Sequence, residues 1–205
     1  LCTRDKAVIY QFARSRAGEH AREMLQDFRG SLITDDYAGY KALFREGVIQ
    51  EAGCWAHARR KFFEAHKLNQ SEIAKQAVQT IAQLYAIEAE VKDRPEDERL
   101  RIRQEKSRPL LDEFKAWLQA QRQTLFNADV TAKAIDYTLN RWAALCAHLS
   151  HAGIGVDNNP AENAIRPLAL GRKNWLFVGS QQAGERAAVL MSLIEYAKLN
   201  GHDAW

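Results

Sequence analysis

The run Asp157-Asn158-Asn159-Pro160-Ala161-Glu162-Asn163, followed by Arg166 and by Gly171-Arg172-Lys173-Asn174-Trp175, packs carboxylates, amides and cations more densely than folding requires. A basic pair beside an amide and an aromatic can hold a phosphate backbone and offer a stacking face to an unpaired base. Arg172 and Lys173 are therefore expected to touch phosphate, and Trp175 to join the core. Asn159 before Pro160 reads as a helix start, since the amide can cap a free N–H and proline belongs at the first helical position. That puts Glu162 in the first turn, at the positive end of the helix. A capping box has the same spacing, and Arg166, four residues on, suits an intrahelical ion pair. Spacing alone leaves the functional and the capping readings of Glu162 both open.

Two earlier stretches also carry chemistry. Asp35-Asp36 stands just before an expected helix, where one acid is a routine cap. In Cys54-x-x-His57-x-Arg59-Arg60-Lys61 the first pair resembles half a zinc site, but no second pair follows at suitable spacing and structural zinc wants four ligands. The better reading is a helix start whose Trp55, Phe62 and Phe63 pack inward while Arg59, Arg60 and Lys61 offer charge to phosphate or to solvent.

The elements that must position these residues follow from periodicity. Residues 7–13 are β-branched and aromatic and read as a strand. Residues 19–28 carry Ala21, Met24, Leu25 and Phe28 at helical spacing. Ser31-Leu32-Ile33-Thr34 is a short strand running into Asp35, residues 37–45 look helical, and residues 47–52 form another strand. Strand and helix alternate here, which implies a mixed sheet with covering helices. From Trp55 onward the helical period dominates. Ser71-Glu72 opens a helix with Ile73, Ala77, Ile81, Leu84 and Tyr85 on one face, and Asp93-Arg94-Pro95 interrupts it. Pro109 is expected to break or kink the next one. Asp129 caps a helix carrying Ile135, Leu139, Trp142, Cys146 and Leu149. Residues 184–200 form a last helix, with Ala187, Leu190, Met191 and Ile194 inward and Gly201 as its stop.

With 205 residues, 46% hydrophobic and 27% charged, the chain suits one domain or one domain with a helical insertion. Cys2, Cys54 and Cys146 are odd in number and far apart, which argues against a secreted disulfide framework. No apolar run approaches the roughly 20 residues that cross a bilayer, and no leader is visible, so a soluble cytoplasmic protein with no membrane partner is expected. A net charge of +3 permits nucleic-acid binding without indicating it.

Three blocks, Thr34-Asp35-Asp36-Tyr37-Ala38-Gly39-Tyr40, then Ala52 to Phe63, then Val156 to Trp175, occur in an order that closely resembles bacterial transposases of the insertion sequence 66 family. The likeness runs from about Ala7 to Gly201. It implies a DNA transposase catalytic region with an RNase H-like domain, in which an Asp, Asp, Glu triad holds divalent metal. By motif position Asp35 is the second acid and Glu162 the third, both catalytic and metal-binding. The metal implied is Mg²⁺ or Mn²⁺. Arg59, Arg60, Lys61, Arg166, Arg172, Lys173 and Asn174 are the expected DNA contacts. The implied partners are double-stranded DNA, as transposon ends and target, and further copies of the protein on that DNA, in the bacterial nucleoid.

Two departures qualify the match. Asp36 stands where the family has glycine, and the Asp-Glu-Thr-Pro type motif of the first acid is absent, Asp5 lying in an unrelated context. The expectation is thus an α/β fragment, truncated at both ends: a partial RNase H-like core at 1–67, a helical insertion at 68–150, and the rest of the core at 151–205. The two-metal site is expected only in the complete enzyme. The alternative is a noncatalytic DNA-binding remnant.

Overall fold

The structure, a computed structural model, describes Cys2, residues 6–175 and residues 179–203, without the side chains of residues 172–175. It is mostly helical, and its described residues contain one sheet of two parallel strands. Strand β1 (Gly30–Thr34) pairs with β2 (Ile49–Gly53) in the register Gly30↔Ile49 through Thr34↔Gly53. The α/β character expected from the sequence is present, with one parallel pair in place of a mixed sheet. Contacts divide the chain into two compact units, one of residues 29–37 and 46–158, the other of residues 1–28, 38–45 and 159–205.

In the first of these units, β2 leads directly into α3 (Trp55–Asn69), followed by α4 (Glu72–Val91), α5 (Glu96–Ile102), α6 (Arg108–Arg122), α7 (Val130–Asn140) and the short α8 (Trp142–Leu145). The caps are local and legible. Ser71 accepts from the Ala74 amide and Asp129 from the Thr131 amide, each satisfying a donor that the helix leaves open. The core is centred on Trp55, fully buried, whose ring meets Trp142 edge-on at 5.8 Å and Phe114 at 6.3 Å. Its indole N–H donates to the Leu145 carbonyl at 2.9 Å, so the polar end of this large side chain is satisfied inside the core. Ile81, Leu84, Leu111, Leu118 and Ile135 close around it. Phe62 is in this core, but Phe63 is 51% exposed, contrary to the inward packing expected for both. Adjacent residues on a helix point about 100° apart, and α3 buries the face of Trp55, Ala58, Phe62 and Ala65.

At Pro109, expected to break or kink a helix, the helical path continues with a local change of winding. A π-helical turn, Arg103–Ser107, links α5 to α6, and the Arg108 N–H reaches back five residues to the Arg103 carbonyl. The wider turn accommodates the proline, which then occupies the opening of α6, where a missing N–H costs little.

The other unit contains α1 (Gly18–Leu25), α2 (Lys41–Arg45), α9 (Asn159–Trp175) and α10 (Gln181–Leu199). Residues 8–13 form no strand. Ala7 makes an isolated bridge to Cys2, and the Tyr10 amide donates to the Ser192 hydroxyl of α10 at 2.9 Å. Extended, β-branched sequence becomes a strand when a neighbouring strand satisfies its amides. Here a side chain on a helix takes that role. Helix α10 is capped by Ser180 and ends at Gly201, whose φ of 75° is the left-handed stop expected of it. Of the residues expected to face inward, Ala187, Met191 and Ile194 are half-buried while Leu190 is 59% exposed.

Candidate functional site

The register Thr34↔Gly53 makes β1 and β2 end side by side, so the next residues, Asp35 and Cys54, leave the sheet at the same carboxyl edge. That edge is where parallel α/β sheets present ligand-binding residues, because the chain leaves the strands there into loops and helix starts. Asp35 is exposed, and among the described residues it makes one hydrogen bond, with Oδ1 accepting from the Tyr37 amide at 3.3 Å. Asp36, the acid left to cap once the resemblance assigns Asp35 to metal, has a φ of 72° and pairs with Arg141. The turn contact belongs to Asp35 instead. The left-handed conformation is the physical reason a glycine suits position 36, and aspartate is among the few other residues that adopt it at modest cost.

Arg141 lies at the break between α7 and α8 and is 9% exposed. One arm of its guanidinium meets Asp36, and the other donates to Glu51 Oε1 at 2.8 Å. Glu51 is on β2 opposite Leu32 of β1, so one side chain links the loop after β1 to the neighbouring strand. Tyr137, on α7, faces the same group. Burial pushes its phenol above the ordinary value, Arg141 opposes that, and Asp36, Cys54 and Asp35 add to it.

On the other strand's side, Cys54 is completely buried at the start of α3. Its Sγ–H donates to Asn158 Oδ1 at 2.9 Å, and His57 Nδ1 lies 3.2 Å from the sulfur. Burial raises the thiol's pKa, so Cys54 is held protonated and serves as a weak donor, not as a nucleophile. The Trp55 amide donates to the Val156 carbonyl at 2.9 Å, which ties the segment before α9 to the opening of α3. Next in that segment, Asp157 Oδ2 accepts from the Tyr85 hydroxyl at 2.7 Å. Burial, then this bond, drive the Tyr85 phenol far above its ordinary pKa, so it remains a donor at any accessible pH.

The unit holding Asp35 also holds Arg59, Arg60 and Lys61, all exposed on α3. The Lys61 ammonium sits 4.5 Å from the centre of the Tyr137 ring, a cation–π contact that anchors its stem near this edge. The other unit holds Glu162, half-buried in the first turn of α9, and Arg166, exposed one turn later. The backbone of Arg172, Lys173 and Asn174 continues α9, and their side chains lie outside the described residues, as does the expected packing of Trp175. Leu176, Phe177 and Val178, expected to be extended, lie outside them entirely.

Sequence reasoning passed over Arg141, Glu51 and Tyr85. The one available signal was Arg141 itself, a cation between Leu139 and Trp142 in an otherwise apolar repeat. Among the described residues no three His, Cys, Asp or Glu side chains converge as a metal-ion cage would require.

The description "Transposase IS66 family" belongs to a family model that matches residues 1–186. The chain belongs to the IS66 transposase family. It is 41% identical over 207 residues to the uncharacterized protein y4jD of Sinorhizobium fredii, covering 97% of this chain and 40% of that one. It is 38% identical over 221 residues to the uncharacterized protein y4hP of the same organism, covering 99% and 40% respectively. A third relative there, the uncharacterized protein y4qI, is 36% identical over 204 residues. This IS66 chain thus spans about two fifths of the length of the curated relatives it matches. No solved structure matches it. No helix among its described residues is long and apolar enough to cross a membrane.

Proposed function

We propose that this chain is part of the catalytic region of a DNA transposase, in which Asp35 and Glu162 are two of the acids that hold Mg²⁺ or Mn²⁺ for strand cleavage and transfer. The observation carrying this reading is Asp35 itself: an exposed carboxylate at the carboxyl edge of a parallel strand pair, with one oxygen steadied by the Tyr37 amide and the other without a hydrogen bond among the described residues. Its oxygen chemistry fits a hard divalent ion. A bound ion would supply an activated water and neutralise charge on the phosphodiester oxygens. The chain's own residues then have separable tasks. Asp35 presents oxygen from the residue that follows β1, and Glu162 presents it from the first turn of α9, so a strand end and a helix start limit their motion. Arg59, Arg60, Lys61 and Arg166 hold phosphates of double-stranded DNA, with Arg172, Lys173 and Asn174 extending that surface along α9. Residues 68–150 act as a helical insertion in an RNase H-like core, and copies of the protein assemble on transposon ends and target in the nucleoid.

The exposed Arg59, Arg60 and Lys61 of α3 also suit a second reading, a DNA-binding remnant that keeps the basic surface but no chemistry. Binding to a duplex, followed by fluorescence anisotropy with and without Mn²⁺ and across a salt series, separates the two. On the catalytic reading, Mn²⁺ strengthens binding, and Asp35→Asn or Glu162→Gln removes about tenfold or more of that gain. Binding indifferent to metal and to both substitutions, but falling steeply with salt through counterion release, would establish the remnant.

A further inference from the structure

We infer that Arg141 is a positioning residue for Asp35, acting through Asp36 and Glu51; the inference rests on the metal role proposed for Asp35.

Four observations carry it. Asp36 adopts a left-handed conformation, with φ of 72°, in the residue directly after Asp35. Such a conformation persists in a non-glycine residue when its surroundings hold it, and here the holder is a buried guanidinium. Arg141 does not pair with Asp35. Its two arms are occupied by Asp36 and by Glu51, which leaves the neighbouring carboxylate open to another cation. Glu51 is on β2 and Asp36 follows β1, so the planar fork ties the start of the loop to the sheet at a fixed spacing. Arg141 is itself anchored by its place between α7 and α8, whose Trp142 and Leu145 are in the core around Trp55. The path from the core to Asp35 thus runs through one rigid side chain that binds two carboxylates at once, a geometry that a lysine cannot reproduce. Where glycine would leave the residue after Asp35 free to move, this chain has an acid and an arginine that fix it.

The sign of a substitution distinguishes positioning from simple electrostatics. Removing the Arg141 charge makes the neighbourhood more negative, and by charge alone that tightens binding of a divalent cation. Loss of positioning weakens it. The test is Mn²⁺ affinity, read by electron paramagnetic resonance on the 205-residue chain, for the wild type, Asp35→Asn, Arg141→Met and Arg141→Lys. Asp35→Asn is expected to abolish the Asp35-dependent site, and Arg141→Met to weaken it about tenfold, the scale of losing a supporting partner of a metal ligand. Arg141→Lys keeps the charge and loses the fork, so it is expected to weaken binding in the same direction, and it decides the matter if the methionine variant does not fold. In parallel, hydrogen exchange at the Tyr37 amide, which bonds to Asp35, is expected to speed up in the Arg141 variants while Ile81 in α4 keeps its protection. Mn²⁺ binding that ignores Asp35→Asn refutes the metal reading and this inference with it. Binding that depends on Asp35 but is unchanged or tighter in both Arg141 variants overturns the inference and leaves the metal reading standing.

Discussion

Replacing Arg103 by methionine should cost this protein more stability than any single surface change, and the structure supplies the magnitude. Arg103 is 2% exposed, at the start of the π-helical turn. Its Nε and one terminal nitrogen make a fork onto Glu88 at 2.8 and 2.6 Å. The terminal nitrogens also donate to the carbonyls of His148 at 2.9 Å, His151 at 3.2 Å and Ile154 at 3.1 Å. A single guanidinium therefore satisfies a carboxylate that is 13% exposed and organises the loop leading to Val156 and Asp157. Methionine matches much of the volume but leaves Glu88 uncompensated and several carbonyls without their donor. Breaking a buried pair from one side typically costs about 3–5 kcal/mol. For a chain of this size each kcal/mol is worth about 2–4 °C, so a fall in Tm of roughly 6–20 °C is expected. Urea unfolding of the wild type, Arg103→Met, Glu88→Leu and the double variant measures it. If the cost is that of an orphaned charge, the double variant recovers part of the loss, because both partners of the buried pair are then apolar. A loss below about 1 kcal/mol, the range of exposed pairs, would refute the claim that this guanidinium organises the loop.

His148 gives a pH signature. It is 1% exposed, and burial, with Arg103 adding, lowers its pKa from 6.5 to about 4. The folded chain therefore refuses a proton that the unfolded chain accepts, so stability is fully present above pH 6.5 and declines as pH falls toward about 4. The whole loss is about 3 kcal/mol at most. Unfolding free energies measured from pH 7 to 4 should show that decline flattened in His148→Gln, and an equal slope in both proteins would count against the burial argument. In the other unit, a Cβ built on buried Gly184 would stand 2.4 Å from the Phe12 ring. Gly184→Ala is expected to destabilise by about 1–3 kcal/mol through overpacking, and thermal melts should show Phe12→Leu relieving part of it; a neutral Gly184→Ala would mean that the ring moves aside freely.

How far the sequence could be read depended on the range of the interaction involved. Ser71, Asp129 and Gly201 mark helix ends through bonds to residues two to four positions away, and each stands at the end it was expected to mark. The apolar period similarly predicted the inward faces of α4 and α7, because a helix repeats every 3.6 residues whatever it packs against. The order of the three blocks points to the family without any tertiary information, since motif order is a property of the chain alone.

The failures share a different cause. Residues 8–13 have strand-forming types, but a strand needs a neighbour to take its amides, and here Ser192, 182 positions from Tyr10, takes one. Pro109 was expected to break or kink a helix, and a π-helical turn absorbed it. Phe63 and Leu190 have core-type side chains, yet nothing in their immediate sequence says which neighbour would cover them. The same holds at the candidate site. That Asp35 is followed by an acid was plain from the sequence. That Asp36 bends into the left-handed region and binds an arginine 105 residues away was decided by tertiary packing, which alone brings the α7–α8 break against the carboxyl edge of β1 and β2. Local chemistry determined where the helices begin and which family the chain belongs to, because hydrogen bonds within a turn and the order of residues need no partner from elsewhere. The tie from Arg141 to Asp36 and Glu51 required the fold, because a buried ion pair exists only where packing has already excluded the water that would otherwise solvate it.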